Sequence, residues 1–345
     1  MKGKKIGRIL RIAVLELLCA AILLLSFAYF HHARKWLQQR NAPAVPVVTA
    51  APVPTPVPTA APEPVVGEAV PEETPVPAEL TEWQQRFAEF FTDEVELTDS
   101  SYTSPEVSVQ ITSHTFKEGP GQSVYYVADI HVARLENFFT LFANDKFEYF
   151  STQDAGDMVK NHNVLLAVDG DFCTYQNGGV LVRNGEVFRQ DYSYYDLLVL
   201  YNDGSMETLR PNTYQLDEVL VRGVWQIWQF GPALFREDGS VNPGYFNTTS
   251  TVQQPNPRCA VGYYEPGHYC FLVADGRQDG YSYGLRLEEL SQIMFDMGCR
   301  DAYNLDGGGS ALMYFNGGMV NHQSNGGDRE IGDLLCISET EAPER

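Results

Sequence analysis

The sequence predicts an α+β protein: a single strand-rich domain with a few helices, set behind an N-terminal transmembrane helix and a proline-rich stalk. Three features carry that expectation. Short apolar runs alternate with a period of two along much of the chain from Glu106 onward, as half-buried strands do. Turns of the Asn-Gly and Asn-Asp-Gly kind separate those runs and favour hairpins. Helical spacing appears in few places, and the lack of a short internal repeat argues against propellers and solenoids.

The chain opens with a nearly continuous apolar run, Ile12 to Phe30, broken by Glu16. Its length is close to the roughly 20 residues that cross a bilayer as a helix. Lys2, Lys4, Lys5, Arg8 and Arg11 precede it, and Arg34, Lys35 and Arg40 follow. The heavier basic flank is N-terminal, which keeps the N-terminus in the cytoplasm and sends the rest outside. A cleaved signal peptide would have a shorter apolar core ending in small residues. This run ends in Phe27, Tyr29 and Phe30, so an uncleaved signal-anchor is expected. Residues 1–40 then form basic tip, span and juxtamembrane segment. Residues 41–78 are a Pro/Ala/Val/Thr tract whose composition favours extended PPII, a semi-rigid stalk with no core of its own. Residues 79–345 are the domain. The expected localisation is the cell membrane, single-pass, with the bilayer as one partner.

Within the domain, Leu80, Trp83, Phe87, Phe90 and Phe91 recur at helical spacing. Val107, Val109 and Ile111 alternate as a strand, and Val124 to Ile130 is a second β-rich run. Asp154 to His162 reads as a short helix feeding the apolar strand Val164 to Val168. Hairpins follow around Asn184-Gly185, Asn202-Asp203-Gly204 and Glu265-Pro266-Gly267-His268. Gln229 to Leu234 reads as the start of a strand, and Glu237-Asp238-Gly239 as a turn. A helix from Leu287 to Met297 precedes Asn304-Leu305-Asp306-Gly307-Gly308-Gly309-Ser310. Ala311 to Phe315 and Leu334 to Ile337 are the last strands.

Charge narrows the partners. The first forty residues hold eight Lys/Arg and one Asp/Glu, or +7, while the whole chain carries −21, leaving −28 on the remainder. So acidic a domain excludes nucleic acid as partner, and an anionic substrate would need a local cluster of arginines. Cys19 lies in the apolar run; Cys173, Cys259, Cys270, Cys299 and Cys336 lie outside it, with no CxxC pair to suggest a zinc or redox motif. One or two disulfides are compatible with an oxidising compartment.

Polar clusters punctuate the strand ends: Asp169-Gly170-Asp171, Pro257-Arg258-Cys259, Asp275-Gly276-Arg277, the Asn304 to Ser310 segment and Asp328-Arg329-Glu330. Consecutive glycines allow close backbone approach, and concavities of N–H groups bind anions. Arginine forks suit phosphate oxygens, and paired carboxylates cleave glycosidic bonds. An isolated Asp-Gly is usually only a turn. Rigid strands that aim several such clusters at one place make a site.

These segments, in this order, resemble the phosphodiester glycosidase family, the domain of the "uncovering enzyme" N-acetylglucosamine-1-phosphodiester alpha-N-acetylglucosaminidase. The similarity runs from Tyr126-Val127-Ala128-Asp129-Ile130 through Val168-Asp169-Gly170-Asp171-Phe172, Phe230-Gly231-Pro232, Asn256-Pro257-Arg258-Cys259 and Ala274-Asp275-Gly276-Arg277. It continues with Gly284-Leu285-Arg286-Leu287, and Asn-Leu-Asp-Gly-Gly-Gly-Ser is its most specific part. It covers about 124–337, and a bacterial, membrane-anchored member is expected. Three positions depart from the family pattern. Asp169 stands where the family usually has Asn, Phe172-Cys173 where it has an aromatic pair, and Cys259 where it has Thr.

The resemblance implies hydrolysis of a GlcNAc-like C1–O–P bond in a cell-surface glycan or glycoconjugate, releasing free sugar and a phosphate monoester. The leaving group is a weak base, with a second phosphate pKa of about 6, so charge stabilisation matters more than a strong acid. The expected catalytic residues are Asp306, Asp171 and Asp275. The expected substrate-binding residues are Arg258, Arg277, Asn304, Gly307, Gly308, Gly309, Ser310 and Arg329. No cofactor is required by the sequence, although Asp169 and Asp171 could hold Ca2+ or another divalent cation. Two other classes fit the same residues: a non-catalytic glycan-binding or envelope-polysaccharide assembly module, and a metal-dependent phosphodiesterase acting at phosphorus.

Overall fold

The computed structural model describes residues 80–339, apart from 118–120, 245, 247, 325, 327 and 328. The expected anchor and stalk lie outside the described residues. Among the described residues no helix is long and apolar enough to cross a membrane.

The strand-rich reading holds. The described residues form a seven-stranded sheet, two five-stranded sheets and a two-stranded ribbon, with five short α-helices. Every strand pair is antiparallel. In spatial order the large sheet is Glu96–Leu97, Ser101–Thr103, Val107–Phe116, Ser123–Val132, His268–Ala274, Arg258–Glu265 and Asp301–Asn304. Its first edge strand has two residues, both exposed. Its last is covered, because Leu234 donates to the carbonyl of Ala302 and Asn304 donates to that of Pro232.

The period-two pattern explains how one sheet serves two cores. Ala128, Ile130, Val261, Phe271 and Val273 face a central core that they share with Leu198, Leu200 and Trp228 of one five-stranded sheet and Leu166, Val168 and Leu335 of the other. The alternate residues Val127, Ala260, Cys270 and Leu272 face outward and are covered by Leu290, Ile293 and Met294 of the helix Leu287–Asp296. Burying both faces needs nearly continuous apolar strands, which is how these runs read.

The hairpins form where expected, with Asn184 and Gly185 both at positive φ, as the tight type I′ turn demands. Three expectations change. The opening helix is only Glu82–Arg86, with Thr81 as its capping residue and no buried residue of its own. Phe87 and Phe90 lie beyond it, and Phe90 stacks on His131 at 3.8 Å. Gln229 ends a strand, Val224–Gln229, rather than beginning one, and a cis Gly231–Pro232 peptide follows. The five described cysteines are unbridged, Cys270 and Cys299 approaching to 3.7 Å between sulfurs.

Candidate active site

The site is built at the end of one central strand. Leu166–Asp169 lies between Met313–Phe315 and Asp333–Ile337 in its sheet and leads into Gly170-Asp171. Gly170 donates to the carbonyl of Asp333 at 3.1 Å. A Cβ at Gly170 would lie 2.2 Å from the Asp333 carboxylate, so only glycine fits. The Gly170 carbonyl in turn accepts from the N–H of Asp306 at 3.1 Å. That bond draws the glycine loop over the strand end and places Asp306 beside Asp169.

Asp169, Asp306, Ser310 and Arg329 line one cavity of about 340 Å³, with Phe172, Tyr175 and Thr152. Asp306 is half-buried, Asp169 is buried and Arg329 is exposed. Burial raises the proton affinity of Asp306, opposed by hydrogen bonds from the Gly307 N–H and Ser310 and by the charge of Arg329. Asp169 is raised further, first by burial and then by the negative charge of Asp306 and Asp333. Its Oδ2 has no hydrogen-bond partner among the described residues. Burial and two neighbouring carboxyls thus favour the protonated form of Asp169, against a backbone hydrogen bond from Gly170 and the charge of Arg329.

The second carboxylate of the Asp-Gly-Asp segment has another fate. Asp171 is fully buried. Its Oδ1 accepts from Arg183 Nη2 at 2.7 Å and its Oδ2 from the Gln229 N–H at 2.6 Å. Arg183 also donates to Asp333 Oδ2 at 3.0 Å, and to the carbonyls of Val182 and Ile227. Burial works against the charge of Arg183, but Asp171 and Asp333 outweigh it and hold the guanidinium firmly protonated. Asp171 is therefore corrected from a catalytic residue to one arm of a buried ion triad. The expected cation site at Asp169 and Asp171 meets the same obstacle: a guanidinium already occupies the place beside Asp171.

Other expected residues are redirected by their contacts. Arg258 is buried and donates to the carbonyls of Leu285, Val252 and Gln254, so it ties three backbone segments rather than reaching the cavity. Burial lowers its pKa to about 10. Asn304 donates to the Gly231 carbonyl at 2.8 Å and braces the cis peptide. Asp275 sits in a separate polar cluster, accepting from Tyr281 Oη at 2.9 Å, Asn321 Nδ2 at 3.0 Å and the His322 N–H at 2.9 Å. Arg277 is exposed and its fork grips Asn256 Oδ1 at 2.9 and 3.1 Å.

Two of the three N–H groups of the expected anion nest already have acceptors within the protein. The Gly307 N–H turns onto the Asp306 carboxylate at 2.8 Å, and that of Gly308 donates to the Pro257 carbonyl at 3.0 Å. The glycines serve close approach instead. A Cβ at Gly307 would lie 2.7 Å from the Pro257 carbonyl oxygen, and one at Gly308 would lie 3.0 Å from the Arg277 guanidinium.

Arg183, Asp333 and Tyr175 were not singled out from the sequence, and Phe172 was noted only as a departure from the family pattern. An arginine ending the apolar run Val180-Leu181-Val182 was a legible sign of a buried charge. Among the described residues, two donor groups fall within 4.8 Å: Asp171, Cys173 and Asp333, and Asp129, His131 and His268. Arg183 fills the first. In the second the two imidazoles stack at 4.0 Å with planes 19° apart, so their lone pairs run side by side rather than converging.

A strand-end pair of carboxyls with raised proton affinity thus lines a cavity that one arginine borders. The chain belongs to the phosphodiester glycosidase family, whose sequence model matches residues 162–338. It is 26% identical over 164 residues to the SPbeta prophage-derived uncharacterized protein YomE of Bacillus subtilis (strain 168), a match covering 46% of this chain and 25% of that protein. The chain thus spans about a quarter of the length of that relative. Its fold is similar to the catalytic domain of zebrafish N-acetylglucosamine-1-phosphodiester alpha-N-acetylglucosaminidase, described as auto-inhibited by its pro-peptide. The TM-score is 0.57 and the identity 20%, over 72% of this chain and 88% of that one.

Proposed function

We propose that this chain hydrolyses the C1–O–P bond of a GlcNAc-like sugar-1-phosphodiester in a cell-surface glycan, releasing free sugar and a phosphate monoester. The observation that carries this is the unequal carboxyl pair Asp169 and Asp306 facing one cavity with Arg329 at its edge. Asp306, its proton affinity raised by burial, takes a proton from water as water adds to C1. The C1–O bond breaks and the electron pair leaves with the phosphate, which receives that proton as the monoester departs. Arg329 balances the charge on the phosphate oxygens. Asp169 donates a hydrogen bond to the same oxygens; ionised, it would repel them.

This also accounts for the departure at position 169. A protonated aspartic acid is neutral and close in shape to the asparagine that the family usually carries there. The test is incubation with a GlcNAc-1-phosphodiester in oxygen-18 water, with and without EDTA. The label should enter the sugar hydroxyl and EDTA should change nothing. Label in the phosphate together with loss of activity in EDTA would instead establish a metal-dependent phosphodiesterase. Absence of any product would leave a glycan-binding module.

The same reading places the domain outside the cell on the expected anchor. Full-length protein should stay with membranes through a carbonate wash. Release of a shortened chain into the medium would show that the segment 12–30 is a cleaved signal.

A further inference from the structure

Beside the carboxyl cavity lies a larger one, of about 780 Å³. The two share a wall, the rings of Phe172 and Tyr175, stacked at 4.6 Å with planes 8° apart. Phe172 holds that position at a φ of +63°, a conformation that costs a bulky residue energy and marks positions under functional constraint. The far side of the large cavity is lined by Tyr192, Tyr194 and Tyr195, which are 53%, 77% and 56% exposed. So much accessible aromatic surface on one concave face is uncommon for a domain with no partner there. Its polar groups are amides and carboxyls, among them Gln176, Asn177 and Asp191. No Lys, Arg or His lines it among the described residues.

From this juxtaposition we infer that the large cavity is a subsite for an uncharged oligosaccharide chain joined to the reacting phosphodiester. Sugar rings present apolar C–H faces that lie against aromatic rings and hydroxyl edges that bond amides and carboxyls. The phosphate is disfavoured there, because Asp191 is exposed and no Lys, Arg or His among the described residues lines the cavity to offset it. The charged centre of the substrate therefore belongs in the small cavity beside Arg329. The neutral chain crosses the Phe172–Tyr175 wall into the large one. The inference rests on the hydrolase reading for its chemistry but not for its binding face.

The experiment separates the two. Binding of chitotetraose to the full chain is measured by calorimetry, with a sulfated tetrasaccharide as the anionic control. The wild type should bind the neutral chain and not the sulfated one, and Tyr194→Ala should weaken binding about three- to ten-fold, the worth of one aromatic contact. Kinetics then compare a methyl phosphodiester of GlcNAc with two extended substrates, one lengthened on the sugar side and one on the alcohol side. Tyr194→Ala should lower kcat/KM for one extended substrate relative to the methyl one, which identifies the side that occupies the cavity. Tetrasaccharide binding that depends on Tyr194, without hydrolysis of any diester, would sink the hydrolase reading and leave the subsite standing. Equal losses on all three substrates, or binding indifferent to Tyr194, would overturn the subsite.

Discussion

Asp169 and Asp171 are two residues apart, at the end of the same strand, and live in opposite electrostatic conditions. Asp171 shares the guanidinium of Arg183 with Asp333, at 2.7 and 3.0 Å. Asp169 has no such partner and instead meets Asp306 across a cavity. The first arrangement sets one buried guanidinium between two carboxyls and spends the residue on the fold. The second leaves the charge without a close partner and raises the proton affinity of Asp169. A buried acid is available for chemistry to the extent that the protein has not already paired it.

The comparison breaks most sharply at Asp306. Asp306→Asn keeps the size and removes the base, so turnover should fall by roughly 10²–10⁴-fold while thermal unfolding stays cooperative. Turnover within a few-fold of the parent would remove Asp306 from that role. On the paired side, Arg183→Met leaves two buried carboxyls uncompensated. Urea unfolding should show a loss of about 3–5 kcal/mol. An unchanged midpoint would mean that the triad contributes nothing net.

A smaller effect is expected at the cavity edge. Arg329→Lys keeps the charge and loses the fork, so kcat/KM should drop roughly ten- to a hundred-fold. Asp169→Asn sharpens the contrast by a change of pH profile rather than of rate. Its raised proton affinity means that native Asp169 ionises only as pH climbs through that raised value, placing a charge against the phosphate and costing stability. Asparagine stays neutral. The variant should keep turnover within a few-fold at neutral pH, lose the alkaline decline, and gain stability at high pH but not near pH 4. A rate collapse at every pH would make the Asp169 hydroxyl an obligatory acid. The smallest change belongs to Arg277→Lys, which touches Asn256 outside the cavity and should leave KM nearly unaltered.

Much of the fold was legible because its signals are local. The Asn184-Gly185 turn, the Asp154 cap before the helix Ala155–Asn161 and the alternation in Val107–Phe116 are all set by neighbours in sequence. Asp306, Ser310 and Arg329 were named from the sequence as site residues and Asp169 as a cation ligand, and the four line one cavity. What the sequence hid was partnership at long range. Arg183 meets Asp333 across 150 positions, and nothing near either residue announces it. Arg258 looked like a phosphate ligand because its type suits one, but its three acceptors are main-chain carbonyls that no sequence pattern marks. The short opening helix was overcalled because Phe87 and Phe90 kept helical spacing while packing near His131 from outside the helix.

The two margins of the large sheet bear on behaviour in crowded solution. Glu96–Leu97 is too short to template a foreign strand and carries a charge, while the backbone beside Asp301–Asn304 is already engaged by the Pro232–Leu234 segment. Open, flat margins are where sheets of separate molecules zip together into fibrils. The large sheet thus offers its neighbours no free rung to climb at either margin, and the strong negative charge of the chain adds a repulsion between copies at high concentration.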